Sequence, residues 1–342
     1  MQVIYTNRED EIEIQISDTY TSEFVSFAEA IMWGQEGLLY KMFGLALEFQ
    51  KLKHPMYIST FKAGVLIGIA LVNRKVVELS SGKVDAFYSC IWGVKPSHTN
   101  QGYCTLMINN VTEYVFKHYP RSIIYSFIEL GNKRSKRVTE KINYSLLTNF
   151  VAPNYIRLYP KLSSQVSWLK PTEKQLRIQL LKKQYKGHSF IDVEDTFDES
   201  AYYVYKENGK IKAGIQVKKL RWSVLNMLGF EGFLLLKVIP RIKFMDSKIN
   251  MKNYTFLKMG NMFISDEKDF HALVDSLLCM YNLKSAVAFT LNDSPVDAKI
   301  LSVMQSGILS SIETKVGTYY RSQNLSHEEL GKLPFISMDD FL

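Results

Sequence analysis

One segment restricts the folds open to this chain more than any other. Ala86-Phe-Tyr-Ser-Cys-Ile-Trp-Gly-Val94 is rich in β-favouring residues. It runs through the polar, Pro-marked stretch Lys95-Pro-Ser-His-Thr-Asn-Gln-Gly102 into a run whose Leu106, Met107, Val111, Val115 and Phe116 recur at helical spacing, with Asn109, Asn110, Glu113 and Lys117 left wet. A strand that turns directly into a helix presents the helix's first N–H groups, which have no partner within the helix. Gly102 adds no Cβ to hold an anion away from them. The spacing predicts a turn that cradles a pyrophosphate.

The turn resembles motif A of the GNAT superfamily of N-acyltransferases, which runs valine, any residue, proline, a Gln or Arg three positions before a glycine, and Gly or Ala two further on. Val94, Pro96 and Gly102 match, while Thr99 replaces the Gln or Arg and Cys104 the small residue. A second resemblance lies downstream. The strand-like Ser122-Ile-Ile-Tyr-Ser-Phe-Ile-Glu129 precedes Asn132-Lys-Arg-Ser-Lys-Arg-Val-Thr-Glu-Lys-Ile-Asn-Tyr144, which is similar to GNAT motif B at Asn132, Glu140, Lys141, Ile142 and Tyr144. Asn143 stands for the usual glycine, and Asn is the next-best residue for a left-handed helix end.

The resemblance implies a GNAT fold for the first part of the chain, with acetyl-CoA or another acyl-CoA bound where the fourth and fifth strands splay. It assigns backbone groups at Trp92 and Val94 to the pantetheine arm, and the turn Thr99, Asn100, Gln101, Gly102, Tyr103, Cys104 and Thr105 to the pyrophosphate, with Asn132 and Ser135 close by. Many relatives protonate the leaving thiolate with a Tyr seven positions after the motif-B Asn. Here that position is Thr139, a poor acid. Water, a tyrosine elsewhere, or a domain that binds CoA without efficient transfer are the options left. For a base the candidates are Tyr88 on the fourth strand and Glu129 at the end of the fifth. In the family, the segment from Ile31 to Leu45 walls the acceptor groove, so Trp33, Gln35, Glu36 and Tyr40 are candidate substrate contacts, with core packing the competing role for the aromatics.

At 342 residues the chain exceeds one typical domain. It contains no run of 18 apolar residues and begins without a signal peptide's apolar core, which gives the expectation of a soluble, cytoplasmic protein with no membrane span. Cys90, Cys104 and Cys279 are odd in number and without CxxC spacing, so neither disulfides nor a zinc site is expected and the thiols read as buried; no metal is called for. The net charge of +8 favours anionic partners, CoA among them. One basic cluster, Lys133 to Arg137, reads either as contact with CoA phosphates or as a solvated helix face. Elsewhere Lys and Arg are dispersed and no RNA-binding signature occurs, which argues against nucleic acid. No GxSxG, GxxxxGK[ST] or HExxH is present.

Ahead of the turn, Ser22 to Trp33 and Gln35 to Gln50 read as two amphipathic helices around Gly34. Strands Met56 to Phe61 and Val65 to Val72 follow, and Ser80-Ser-Gly82 turns the chain back. Pro153, Pro160 and Pro171 suggest a linker, taken as 156–170. Beyond it, Tyr202 to Lys206 and Ile211 to Lys218 form a hairpin around Asn208-Gly209. Tyr254 to Ile264, a helix stripe from Phe270 to Tyr281 with Ser265 as its N-cap, Ser285 to Leu291, and a helix opened by Ser294-Pro295 repeat the order of the first half.

The expected fold class is therefore α/β (α+β): a mixed twisted sheet flanked by helices, in two tandem GNAT-like domains. Residues 1–155 would hold the acyl-CoA site and 171–342 would lack the CoA turn, because Ser265-Asp-Glu-Lys-Asp269 puts carboxylates at the corresponding helix start. Met338-Asp-Asp340 or the Tyr319-Tyr320 strand would help close the acceptor groove. A related tandem-domain group transfers amino acids from aminoacyl-tRNA to peptidoglycan precursors, and the motif-A resemblance with its CoA turn argues against that reading here. The expected function is acyl transfer from acyl-CoA to an amine-bearing small molecule or peptide. The alternative is a catalytically weak CoA-binding sensor or interaction module.

Overall fold

The computed structural model describes residues 1–34, 37–242, 250–307, 313–331 and 333–340. Its first half runs β1 (Gln2–Asn7), β2 (Ile12–Ser17), α1 (Ser22–Ala30), β3 (Leu38–Met42), α2 (Leu45–Phe49), β4 (Pro55–Lys62), β5 (Val65–Leu79), β6 (Gly82–Val94), α3 (Tyr103–His118), β7 (Ser122–Glu129), α4 (Lys133–Lys141) and β8 (Ser145–Ile156). The second runs β9 (Val166–Trp168), α5 (Lys174–Gln184), β10 (Tyr202–Glu207), β11 (Lys210–Met227), β12 (Tyr254–Ile264), α6 (Glu267–Met280), β13 (Ser285–Val287), β14 (Thr290–Leu291), α7 (Pro295–Gln305) and β15 (Glu313–Gln323), with short helical turns unlabelled. Among the described residues no helix is long and apolar enough to cross a membrane.

All the strands of the described residues join one sheet, ordered β1-β2-β4-β5-β6-β7-β15-β8-β13-β12-β11-β10-β9, with β3 on β11 and β14 on β8. The order is two copies of one pattern. β6 and β7 are parallel around the α3 crossover, as β12 and β13 are around α6. What joins the copies is an exchange of last strands. β15, from the chain's far end, lies between β7 and β8, while β8 reaches across to β13. No short-range signal announces this, since an antiparallel strand is satisfied by any partner of matching face.

β5 is buried on both faces. Ile69 and Leu71 pack against Phe24, Leu45 and Phe49 of α1 and α2, while Ala70 and Val72 meet Met107 and Val111 of α3. In the second half Phe270, Leu273 and Leu277 of α6 and Ile300 and Met304 of α7 cover Ile215, Val217 and Leu257. Each such fully buried side chain contributes roughly 1.5–3 kcal/mol.

Several expectations are corrected. The helix expected over Gln35 to Gln50 is instead β3 and the short α2, because Leu38–Met42 pairs with Trp222–Met227 of β11, and tertiary pairing outweighs local helix preference. The expected 156–170 linker contributes β9 to the sheet's edge, and Pro153 lies within β8. The helix stripe from Phe270 is α6, but its N-cap is Asp266, whose carboxylate accepts from the Lys268 N–H at 2.8 Å, and not Ser265. Cys279 is exposed, whereas Cys90 and Cys104 are half-buried. The Asn208-Gly209 hairpin forms with both residues at positive φ, 49° and 75°. Ser294 caps α7 through the Asp297 N–H.

The C-terminal segment binds the halves together through buried charges. Lys75 of β5 meets Asp192 at 2.7 Å and Asp340 at 2.8 Å, and the Tyr125 hydroxyl donates to Asp340 at 2.9 Å. Lys258 of β12 donates to the carbonyls of Met338 and Asp340.

Candidate active site

The parallel register between β6 and β7 extends only from Asp85↔Ser122 to Tyr88↔Tyr125. β6 nevertheless continues to Val94, held by β5, and β7 continues to Glu129, held by β15. The strands therefore splay past Tyr88, and a cavity opens between them. Ser89, Cys90 and Trp92 line one edge of it and Ser126 to Glu129 the other. Its unfilled space, out to the open mouth, is about 1760 Å³.

The predicted turn leads into α3, whose Cys104 and Ile108 line this cavity. Gly102 is the N-cap of α3 with φ 86° and no side-chain cap, and a Cβ on it would point into open space. Asn100 is also left-handed, at φ 62°. Intrahelical bonding near the start of α3 includes the Leu106 N–H, which donates to the Gly102 carbonyl at 2.9 Å. The amides of Tyr103, Cys104 and Thr105 precede that point, where a helix has donors to spare. The turn's side chains face other tasks. Thr99 donates to the Pro96 carbonyl at 2.9 Å and Gln101 to the Ser97 carbonyl at 3.2 Å, while the Tyr103 hydroxyl accepts from the Lys62 ammonium group at 2.8 Å. What the turn offers a ligand is backbone, and an uncapped sixteen-residue helix start suits a phosphate.

From α4, Asn132, Ser135, Val138 and Thr139 line the same cavity at helical spacing. The Asn132 side-chain Oδ1 caps α4 by accepting the Ser135 N–H at 3.0 Å. Thr139 donates its hydroxyl to backbone, Ser135 at 3.2 Å or Lys136 at 2.9 Å, so its position is filled without an acid. The Lys133, Arg134, Lys136 and Arg137 side chains lie on the exposed face of α4. Asn143 ends this segment at φ 61°, the left-handed role expected of it.

Trp33 and Tyr40 close a tight loop, Trp33 N–H to Tyr40 carbonyl at 2.8 Å and the reverse at 3.0 Å, and both line the cavity. Gln35 and Glu36 lie outside the described residues. The Trp33 indole Nε1 is buried without a hydrogen-bond partner. The Tyr40 hydroxyl donates to Glu129 Oε1 at 3.4 Å. Burial holds the Glu129 carboxyl above its ordinary range, with the Tyr40 bond pulling the other way; burial and the Glu129 charge push the Tyr40 phenol up. Tyr88 borders the cavity while packing against Tyr125 and Phe127, ring centroids 5.4 and 5.3 Å away.

One cavity thus collects Trp33, Tyr40, Tyr88, Trp92, Cys104, Glu129, Asn132, Ser135 and Thr139, leaving Val94 and the rest of the turn outside its lining. Sequence reasoning missed the far wall. Trp222, Met227, Tyr254, Phe256 and Lys258, from the second half, complete it, together with Thr314 and Val316 of β15. Tyr319 and Tyr320 instead join buried clusters of the first half, and Met338 packs on Gly260. Of these, only the length of β11 was open to detection, as alternation continuing past Lys218.

Residues 41–145 match a family model described as Acetyltransferase (GNAT) domain. No curated protein matches on sequence. Saccharomyces cerevisiae N-myristoyltransferase with bound myristoyl-CoA is similar in structure at a TM-score of 0.61 and 12% identity, over 96% of this chain and 85% of that one. A second structure of that enzyme gives 0.53 at 10% identity, over 98% and 84%. The GCN5-related glucosamine N-acetyltransferase region of a fungal multi-domain GH3 beta-N-acetylglucosaminidase gives 0.52 at 13% identity, over 80% of this chain and 34% of that one. At such identities the structural likeness speaks for fold alone, and it extends over both halves. Motif, splay and family match fall on the same residues: residues 41–145 carry a GNAT acetyltransferase domain, and the likeness of fold extends over both halves of the chain.

Proposed function

We propose that the protein is an N-acyltransferase that moves an acyl group, acetyl being the smallest case, from acyl-CoA to an amine in a ternary complex. The observation that carries the reading is one cavity that opens between a splayed strand pair, is lined by a half-buried carboxylate, and includes Cys104 from the first turn of the uncapped helix α3. In this reading the amides of Asn100 to Thr105 receive the pyrophosphate, the unpaired edge of β6 at Trp92 and Val94 receives the pantetheine arm, and Asn132 and Ser135 border it. Glu129, raised by burial and held by Tyr40, accepts the proton that the attacking nitrogen loses. The C–N bond forms, the C–S bond breaks, and the thiolate takes a proton from water, since the Thr139 hydroxyl is committed to backbone.

The division into 1–155 with the acyl-CoA site, 156–170 as connection and 171–342 without one belongs to this proposal. It is supported by the contrast between α3, open at its start, and α6, whose first turn carries Asp266, Glu267 and Asp269 and caps itself. The reaction is assigned to the cytoplasm, where acyl-CoA is available.

Calorimetry with acetyl-CoA and longer acyl-CoAs, followed by release of free CoA on a panel of amines, tests the reading. One acyl-CoA bound per chain with amine-dependent release is the expected result. Tight binding with no turnover on any amine would favour the sensor.

A further inference from the structure

We infer that the acceptor is a monoamine carried on an apolar, preferably aromatic, body, and that the second half of the chain selects it. This rests on the acyl-transfer reading and names the substrate class of the same site.

The cavity's far wall is built by Trp222, Met227, Met251, Tyr254, Phe256 and Val287. Trp222 and Met227 are half-buried and, with the more deeply buried Tyr254, Phe256 and Met251, line the wall with rings and thioethers, groups that pack adaptably against an apolar body. Trp222, Tyr254 and Phe256 are one contiguous surface: Tyr254 and Phe256 are stacked with centroids 5.3 Å apart, and Trp222 meets Phe256 edge-on at 4.8 Å.

Charge then limits what the body carries. Among the described lining residues Glu129 is the one acid and Lys258 the one base. Glu129 is needed for the reacting nitrogen. The Lys258 ammonium group is held by the carbonyls of Met338 and Asp340 and lies over the Phe289 ring at 5.9 Å. A polyamine's further ammonium groups would be stripped of water against rings and a lysine, with no second carboxylate among the described lining residues to receive them. A sugar amine would bury hydroxyls on a wall with few partners. A long saturated acyl chain fits the same wall less well, because Glu129, Lys258 and Asn154 interrupt it with polar groups that hydrocarbon leaves unanswered.

The test measures CoA release by the full chain, with acetyl-CoA and octanoyl-CoA as donors and 2-phenylethylamine, spermidine and glucosamine as acceptors. The expected kcat/KM for 2-phenylethylamine exceeds that for either other amine by at least roughly tenfold, with acetyl-CoA the better donor. Met227→Glu, which adds a carboxylate to the wall, should narrow the gap to spermidine by about tenfold, its melting temperature serving as the control for folding. The wild-type panel decides independently of that variant. Turnover with spermidine or glucosamine equal to or better than the aromatic amine overturns the inference while leaving acyl transfer standing. So does a preference for octanoyl-CoA, which would assign the wall to the acyl chain. Acyl-CoA binding with no turnover on any pair overturns the transfer reading, and this inference with it.

Discussion

The indole of Trp222 lies flat against the phenol of Tyr40, ring centroids 4.2 Å apart and planes within 15°. Tyr40 belongs to the first half by sequence, yet its strand pairs with β11 of the second half, directly beside Trp222. On the other side its hydroxyl reaches Glu129. A carboxylate at the end of one half's strand is therefore set by a ring from the other half. The second half is part of the site's construction.

Tyr40→Phe removes a hydrogen bond that favours the ionised Glu129. The carboxyl, already raised by burial, then rises further. Because the proposed base must be ionised to act, the proposed activity grows as pH rises through this group, and the acid limb of the profile should move to higher pH. At pH 6 kcat/KM should fall by roughly threefold to tenfold, with recovery at higher pH. A pH–rate profile with an unmoved acid limb would remove Glu129 from the role of base.

Trp222→Ala should act in the same direction without touching the turn proposed for the pyrophosphate. Loss of the stack frees Tyr40, so the acid limb shifts as in Tyr40→Phe and kcat/KM falls about tenfold, while acyl-CoA affinity stays unchanged. Stability falls by about 3 kcal/mol from the cavity left behind, and Trp222→Phe should restore most of both. An unaltered pH profile in a folded Trp222→Ala protein would mean that the stack is packing alone.

Gly102→Val places a β-branched side chain at φ 86° and a Cβ in the open space before the α3 amides. The strain costs on the order of 1–3 kcal/mol. Acyl-CoA affinity should drop at least about 100-fold, an effect calorimetry reads directly, with the thermal transition lowered but still cooperative. Equal affinity in the variant would dismiss the turn as the phosphate site.

Lys75→Met leaves Asp192 and Asp340 buried together without their cation. Burial already raises the Asp192 carboxyl to about 7 despite Lys75, so without the ammonium group it protonates more readily still. Denaturant unfolding at pH 7 should report a loss of about 3–5 kcal/mol, shrinking as pH is lowered and Asp192 takes a proton. A loss that does not change with pH would assign the effect to packing.

Much of this protein is local in origin. The strand, Gly102 turn and helix around Val94, Asn132 as a helix cap, Asn143 as its left-handed end, the Asn208-Gly209 hairpin and the Ser294 cap were all legible, because each is fixed by side-chain periodicity or by backbone chemistry within a few residues. Glu129 and Tyr40 were legible as candidates but not as partners. Their meeting depends on Leu38–Met42 abandoning helix for a seat beside β11, and the site's far wall depends on β8 and β15 changing places. A strand's own residues state which face is apolar and say nothing about which of several equivalent edges will receive it. That choice belongs to the folded sheet, where burying the whole surface of both halves outweighs the preference of any one segment.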